Sequence, residues 1–188
     1  MTFPIMVYLM SEGYKYTRDV KKYAQRLLIF AVIALVPFIL VFGGMLNVLF
    51  TLFFGLIVIY LYDNMKSRSL FWIIFALAVL ATIVCDWLIM GVPMILCSHV
   101  IKNKWGRVIV PVLIAWVFMG LSLWGMVTFS GMEQREIIAN AIYVYGGCTL
   151  TIPLLLAYNG QRGRPMKYFF YAFYPGHLAL LAVVQLFL

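Results

Sequence analysis

Apolar residues run along this chain in long, nearly unbroken stretches, and the polar residues gather in short clusters between them. The runs near 24–42, 46–62, 70–87, 108–129, 137–157 and 168–188 match or approach the roughly 20 residues that an α-helix needs to cross a bilayer. Two shorter runs, 3–14 and 88–101, predict a foreshortened first helix and a tilted or partly re-entrant one. None shows the strict alternation of an outer-membrane barrel strand, and a helix is the other way to satisfy every backbone group in lipid. The pattern therefore predicts an all-α, polytopic transmembrane bundle of about eight helices, built as a single domain over residues 1–188.

Composition strengthens that reading. The chain is 65% hydrophobic and only 11% charged, with 15 Phe, 12 Tyr, 11 Met and 5 Trp, more apolar side chain than a water-soluble core of this length would hide. Cys85, Cys97 and Cys148 are odd in number, lie in apolar runs and lack metal-ligand spacing, so packing is expected of them rather than a disulfide framework or a metal site. The start, MTFPIMVYLMSEGY, has neither the basic opening nor the small-residue cleavage site of a secretory signal, so the first apolar segment is expected to stay.

Charge adds orientation. Of the 14 lysines and arginines, all but Arg135 fall in alternate connections: Lys15 to Arg26, Lys66 with Arg68, Lys102 to Arg107, and Arg162 to Lys167. The other connections hold Arg135 among Asp86, Glu133 and Glu136. Basic loops mark the cytoplasmic side, which predicts a multi-pass protein of the plasma (inner) membrane with its basic loops cytoplasmic. Those cations suit anionic lipid headgroups, give no reason to invoke nucleic acid, and would draw a phosphate-rich cofactor to the same mouth. The loop YNGQRGRPMK fits that last role best, since Gly160 and Gly163 let backbone N–H groups approach a phosphate while Arg162 and Arg164 add charge.

Polar side chains at membrane depth are costly, and so they are informative. His177 follows Tyr174 by three residues and Tyr171 by six, with Tyr168 three further back, placing all four on one stripe of the last helix, and lies roughly 15 Å from the cytoplasmic end. Pro175 frees the carbonyl of Tyr171 and favours a kink. The imidazole either exchanges protons with a substrate or bonds a neighbouring helix. Asn47 and Thr51, one turn apart, either bind a substrate carbonyl or bridge helices. Glu12 either pairs with a loop cation such as Lys15 or Arg26 or acts as a catalytic carboxylate. Asp86 is expected to cap the short helix that follows it, and His99 to lie at the surface beside Lys102 and Lys104. Hydrolase, zincin and ATPase motifs are absent from the sequence.

Four stretches then carry a resemblance: FPIMVYLMSEGYKYTRDVKKYAQRLLIFAVIALVPF, LNVLFTLFFG, YNGQRG and KYFFYAFYPGHL occur in the order found in the TraX family, membrane proteins named for the enzyme that acetylates the N-terminus of F-type conjugative pilin. The resemblance spans nearly the whole chain. More distantly, FPIMVYLMSEGY resembles the FFVLSGF-type second helix of the membrane acyltransferases, and FYAFYPGHL resembles their SYxLYLxH segment. This implies acyl transfer, with acetyl-CoA as donor at the cytoplasmic face, no metal, and a peptide, glycan or lipid as acceptor. It implies His177 as the proton-handling group, Tyr174 and Tyr171 as its orienting or oxyanion-binding partners, and Glu12 as a further catalytic candidate. Asn159, Gly160, Arg162, Gly163 and Lys167 would hold the coenzyme, and Asn47 and Thr51 the substrate. Family members usually begin with another helix bearing an Asp-His-x-Gly motif, followed by a Gly-Arg step before FPI. This chain starts MTFPIM, so the expectation is a late reading frame or a truncated gene, with about nine spans once the helix is restored. A membrane transporter or binding protein, or a non-catalytic partner in conjugation or export, is the alternative.

Overall fold

The computed structural model describes residues 2–129, 134–161 and 167–186. Among them are eight α-helices: α1 (Thr2–Lys15), α2 (Val20–Phe42), α3 (Val48–Asn64), α4 (Arg68–Ala81), α5 (Gly91–Val100), α6 (Lys104–Phe129), α7 (Gln134–Ala157) and α8 (Lys167–Leu186). The two short apolar runs became α1 and α5, and the polypeptide between α4 and α5 forms two single turns of 3-10 helix, Thr82–Val84 and Leu88–Met90. Three helical stretches, Val20–Phe42, Lys104–Gly125 and Arg135–Ala157, are long and apolar enough to cross a membrane; α3, α4, α5 and the apolar part of α8 are shorter. At 1.5 Å per residue, the 23 residues of α2 span roughly 35 Å, more than the hydrocarbon core of a bilayer. This is an all-α membrane protein.

Local chemistry sets the helix ends. Asp19 accepts from the Lys22 N–H (3.0 Å) to open α2, and Ser67 accepts from the Leu70 N–H (3.4 Å) to open α4. Gly43 closes α2 with its N–H on the Ile39 carbonyl (2.9 Å) at φ +88°, a conformation a side chain would strain. Arg68 lies over the Tyr62 ring and donates to the Tyr62 carbonyl (3.1 Å), tying α4 back to the end of α3.

The helices form two compact units. One comprises Met1–Lys15 and Pro93–Gly160, the other Tyr16–Val92 and Gln161–Leu188. In the first, α1 packs on α6 and α7, which pack on each other, around Tyr8, Val108 and Leu155. Tyr145 of α7 donates its hydroxyl to the Trp116 carbonyl of α6 (3.2 Å). In the second, α2 packs against both α3 and α8, and α3 also meets α4. The inner stripe of α2 is Leu27, Ala31, Ala34 and Phe38, at the spacing of one helical face. Its other face exposes Ile29, Val32, Ile33, Val36 and Leu40, an arrangement that suits lipid and not water.

Candidate functional site

Polar groups at depth collect in two places, one in each unit. The first is built on Arg107. Lys104 opens α6 and Arg107 follows one turn later, so its side chain enters the helix packing while the other cations of that loop stay outside. Arg107 is 7% exposed, and each guanidinium nitrogen is engaged: Nε gives to the Ser98 carbonyl (2.8 Å), Nη2 to the Ser11 hydroxyl (3.3 Å), and Nη1 pairs with Glu12 Oε1 (2.5 Å). Glu12 also takes Lys15 Nζ (3.1 Å), and Ser11 gives its own proton to the Ser98 carbonyl (3.3 Å). The flat face of the guanidinium lies 4.8 Å from the centre of the Tyr8 ring.

Tyr8 links this centre to the end of α7. Its ring meets Tyr158 edge to face at 6.2 Å, and Lys104 Nζ caps the same end by donating to the carbonyls of Leu156 (2.6 Å) and Tyr158 (2.8 Å). A cation on the last carbonyls of a helix satisfies groups that have no intrahelical partner and sits favourably on the dipole. Asn159 and Gly160 follow immediately, both exposed, with Gly160 at φ +73°. Nearby His99 is half-buried against the edge of Tyr14 (5.3 Å), not the simple surface residue expected.

The second centre forms at the start of α3. Asn47 is fully buried and uses both ends of its amide: Oδ1 accepts from the Leu49 N–H (3.0 Å), capping α3, while Nδ2 donates to the Ala31 carbonyl of α2 (2.7 Å). Just before it, Leu46 pairs with Cys85 as one parallel β-bridge, with the Leu46 N–H on the Val84 carbonyl and the Asp86 N–H on the Leu46 carbonyl, both 2.8 Å. Thr51 is buried beside the Cys85 thiol. From α8, the half-buried Tyr174 brings its hydroxyl to the Val48 N–H, within electrostatic range of the exposed Asp86 carboxylate. Among the described residues no three His, Cys, Asp or Glu side chains converge as a metal site would require.

Residues 1–185 match the family described as TraX protein. The chain belongs to the TraX family. It is 31% identical, over 210 aligned positions covering 100% of this chain and 81% of the relative, to a protein of Dichelobacter nodosus named "Probable fimbrial assembly protein FimC, serogroup H1". No solved structure matches.

In this TraX-family chain the fold joins some of the sequence candidates and parts others. Tyr174, far along the chain, comes to Val48 at the start of α3, next to Asn47, which is the helix bridge that its position allowed. Glu12 finds Lys15, as expected, and Arg107 in place of Arg26. Asp86 does not cap the turn that follows; its backbone serves the bridge to Leu46. The stripe expected on α8 divides: Tyr174 turns inward with Pro175, Leu178 and Ala182 on the packed side, while His177 faces out with Phe173, Leu180 and Val184, its ring stacked on Phe173 at 5.8 Å. Arg162 and Gly163 lie outside the described residues, as do the side chains of Lys167 and Tyr171. Sequence reasoning missed Arg107, Ser11 and Ser98. One signal was available, because Arg107 begins an uninterrupted apolar run, as Glu12 interrupts one, and opposite charges at matching helix ends invite pairing.

Proposed function

We propose that this protein is an integral-membrane acyltransferase that moves an acetyl group from acetyl-CoA to a pilin N-terminus or another cell-surface acceptor. Family membership supports the reaction class, and the name of the Dichelobacter nodosus relative supports a setting in pilus assembly. The observation that carries the reading is the chain of contacts from the buried Arg107 through Tyr8 to Tyr158, reinforced by Lys104, which fixes where the Asn159–Gly160 loop leaves α7. In this reading, Gly160 and Gly163 present backbone N–H groups to the coenzyme phosphates, with Asn159, Arg162 and Lys167 completing the clamp. Glu12 holds Arg107 in place. His177, on the outward face of α8, takes the proton of an acceptor that arrives along that face, and Tyr174, Tyr171, Asn47 and Thr51 are assigned to the oxyanion and the acceptor end.

The test is transfer of label from radiolabelled acetyl-CoA by the purified protein in lipid nanodiscs. His177→Ala should lower transfer by about 100-fold or more, the usual worth of a general acid or base, with insertion unchanged. Retained transfer in that variant removes the imidazole from the chemistry; a wild-type chain that neither binds the coenzyme nor transfers label removes the enzyme. One observation favours a second reading, a non-catalytic membrane partner of a pilus apparatus. His177 shares an exposed apolar stripe with Phe173, Leu180 and Val184, which is also how a helix presents itself to another membrane protein.

A further inference from the structure

The exposed face of α7 carries a polar side chain that the fold leaves unpaired. Asn140 lies five residues inside the apolar span that begins at Arg135, about 7 Å along the helix, with Ile137, Ile138, Ala141 and Ile142 around it. Asn47 and Asn64 each give their amide to a backbone carbonyl (2.7 and 2.8 Å), whereas Asn140 is exposed and makes no hydrogen bond among the described residues. An amide that faces acyl chains loses the hydrogen bonds water would give it. Asparagine is also too short to carry its polar end back to the headgroups, as lysine or arginine does. This side chain is mismatched to lipid.

Its neighbours on α7 say what would match it. Glu136, Asn140, Tyr143, Gly147, Leu150 and Leu154 follow one another at the alternating intervals of four and three residues that make a helix-pairing seam. All but Gly147 are exposed, and the glycine has no side chain to hold a second helix away. A second copy of this chain crosses the bilayer the same way up, so pairing α7 with α7 about a two-fold axis along the bilayer normal sets each seam residue opposite itself at the same depth. An amide both donates and accepts, so two Asn140 side chains satisfy each other, which neither an acyl tail nor a wholly apolar helix can do. The charges agree. Arg135 and Glu136 are exposed and form no ion pair among the described residues, and in such a pair the arginine of each copy flanks the glutamate of the other. We propose that the exposed face of α7 is the surface through which two copies of this chain pair in the membrane, with Asn140 fixing the register. The pairing is independent of the acyl-transfer reading.

The experiment counts copies of the full chain, each carrying one fluorophore, by single-molecule photobleaching in bilayers of decreasing protein-to-lipid ratio. The wild type should bleach in two steps at densities where Asn140→Val bleaches mainly in one, a loss of about tenfold in pairing, and Asn140→Gln should restore most of it. Valine suits lipid better than an amide, so Asn140→Val should unfold no earlier than the wild type, which separates lost pairing from lost folding. Cysteine cross-linking locates the surface. Leu150→Cys, on the seam, should give an oxidised dimer, and Ile138→Cys, exposed on the same helix about 120° away, should give little. The wild type is the control, since its own Cys85 and Cys148 are buried and Cys97 is half-buried. A wild type that is monomeric at every density, undiminished pairing in Asn140→Val, or equal cross-linking at the two positions overturns the interface. Pairing of α7 seen only with a different membrane protein overturns it as well.

Discussion

The two polar centres solve the same problem in opposite ways. Around Arg107 a full charge is neutralised on the spot: Glu12, Ser11, the Ser98 carbonyl and the Tyr8 ring surround the guanidinium. At the start of α3 the buried groups are uncharged, backbone pairing does most of the holding, and the one carboxylate remains exposed. The Arg107 centre is an anchor, because its charge is balanced by Glu12 and its guanidinium nitrogens are engaged. The other centre is held by neutral hydrogen bonds instead. The contrast suits Arg107 to holding the end of α7, through Tyr8 and Tyr158.

The sharpest way to break this comparison is to remove one half of the anchor. Glu12→Gln leaves the guanidinium buried without its counter-charge, and breaking such a pair costs roughly 3 kcal/mol or more. The unfolding transition in detergent should fall accordingly, whereas Glu12→Leu combined with Arg107→Met should recover most of the loss. A single variant as stable as the wild type would mean that Arg107 is hydrated, and the anchor would dissolve as an idea.

A smaller effect is expected at the other centre. Asn47→Ala removes the bond to Ala31 and the cap on α3 together, worth about 2 kcal/mol. Thr51→Val, one turn away and nearly the same shape, deletes a hydroxyl that has no oxygen or nitrogen partner and should leave the unfolding transition unmoved or raise it. Equal losses from the two variants would erase the distinction between a held group and a spare one.

The smallest effect sharpens the assignment of the anchor. Lys104→Met removes two bonds to the end of α7 from an exposed side chain, a change of about 1 kcal/mol. If the loop after α7 holds the coenzyme, KM for acetyl-CoA should rise several-fold while kcat stays near its wild-type value. A fall in kcat at constant KM would place Lys104 in the chemistry.

Much of the fold was legible in the order of apolar runs, since a run's length and the polar cluster that ends it are local properties. Each of the eight runs has its helix. What the runs did not fix was partner choice. Arg107 read as one more orienting cation of a basic loop, yet its place one turn inside α6 aims it at α1. Tyr174 and His177 are three residues apart and nominally share a face, but the edge of the packed surface of α8 passes between them. Such boundaries depend on where α2 and α3 lie, and that is a tertiary fact invisible to spacing. Asn47 was readable for the opposite reason, since a buried amide at the start of a helix has few ways to be satisfied, and it uses them.

The pairing of Leu46 with Cys85 carries one last implication. Two short hydrogen bonds stitch the turn that precedes α3 to the turn that precedes Asp86, so the Asn47 cap and the Asp86 backbone ride on one stiff plate and not on two independent loops. Any tilt of α4 would then be passed on to the first turn of α3.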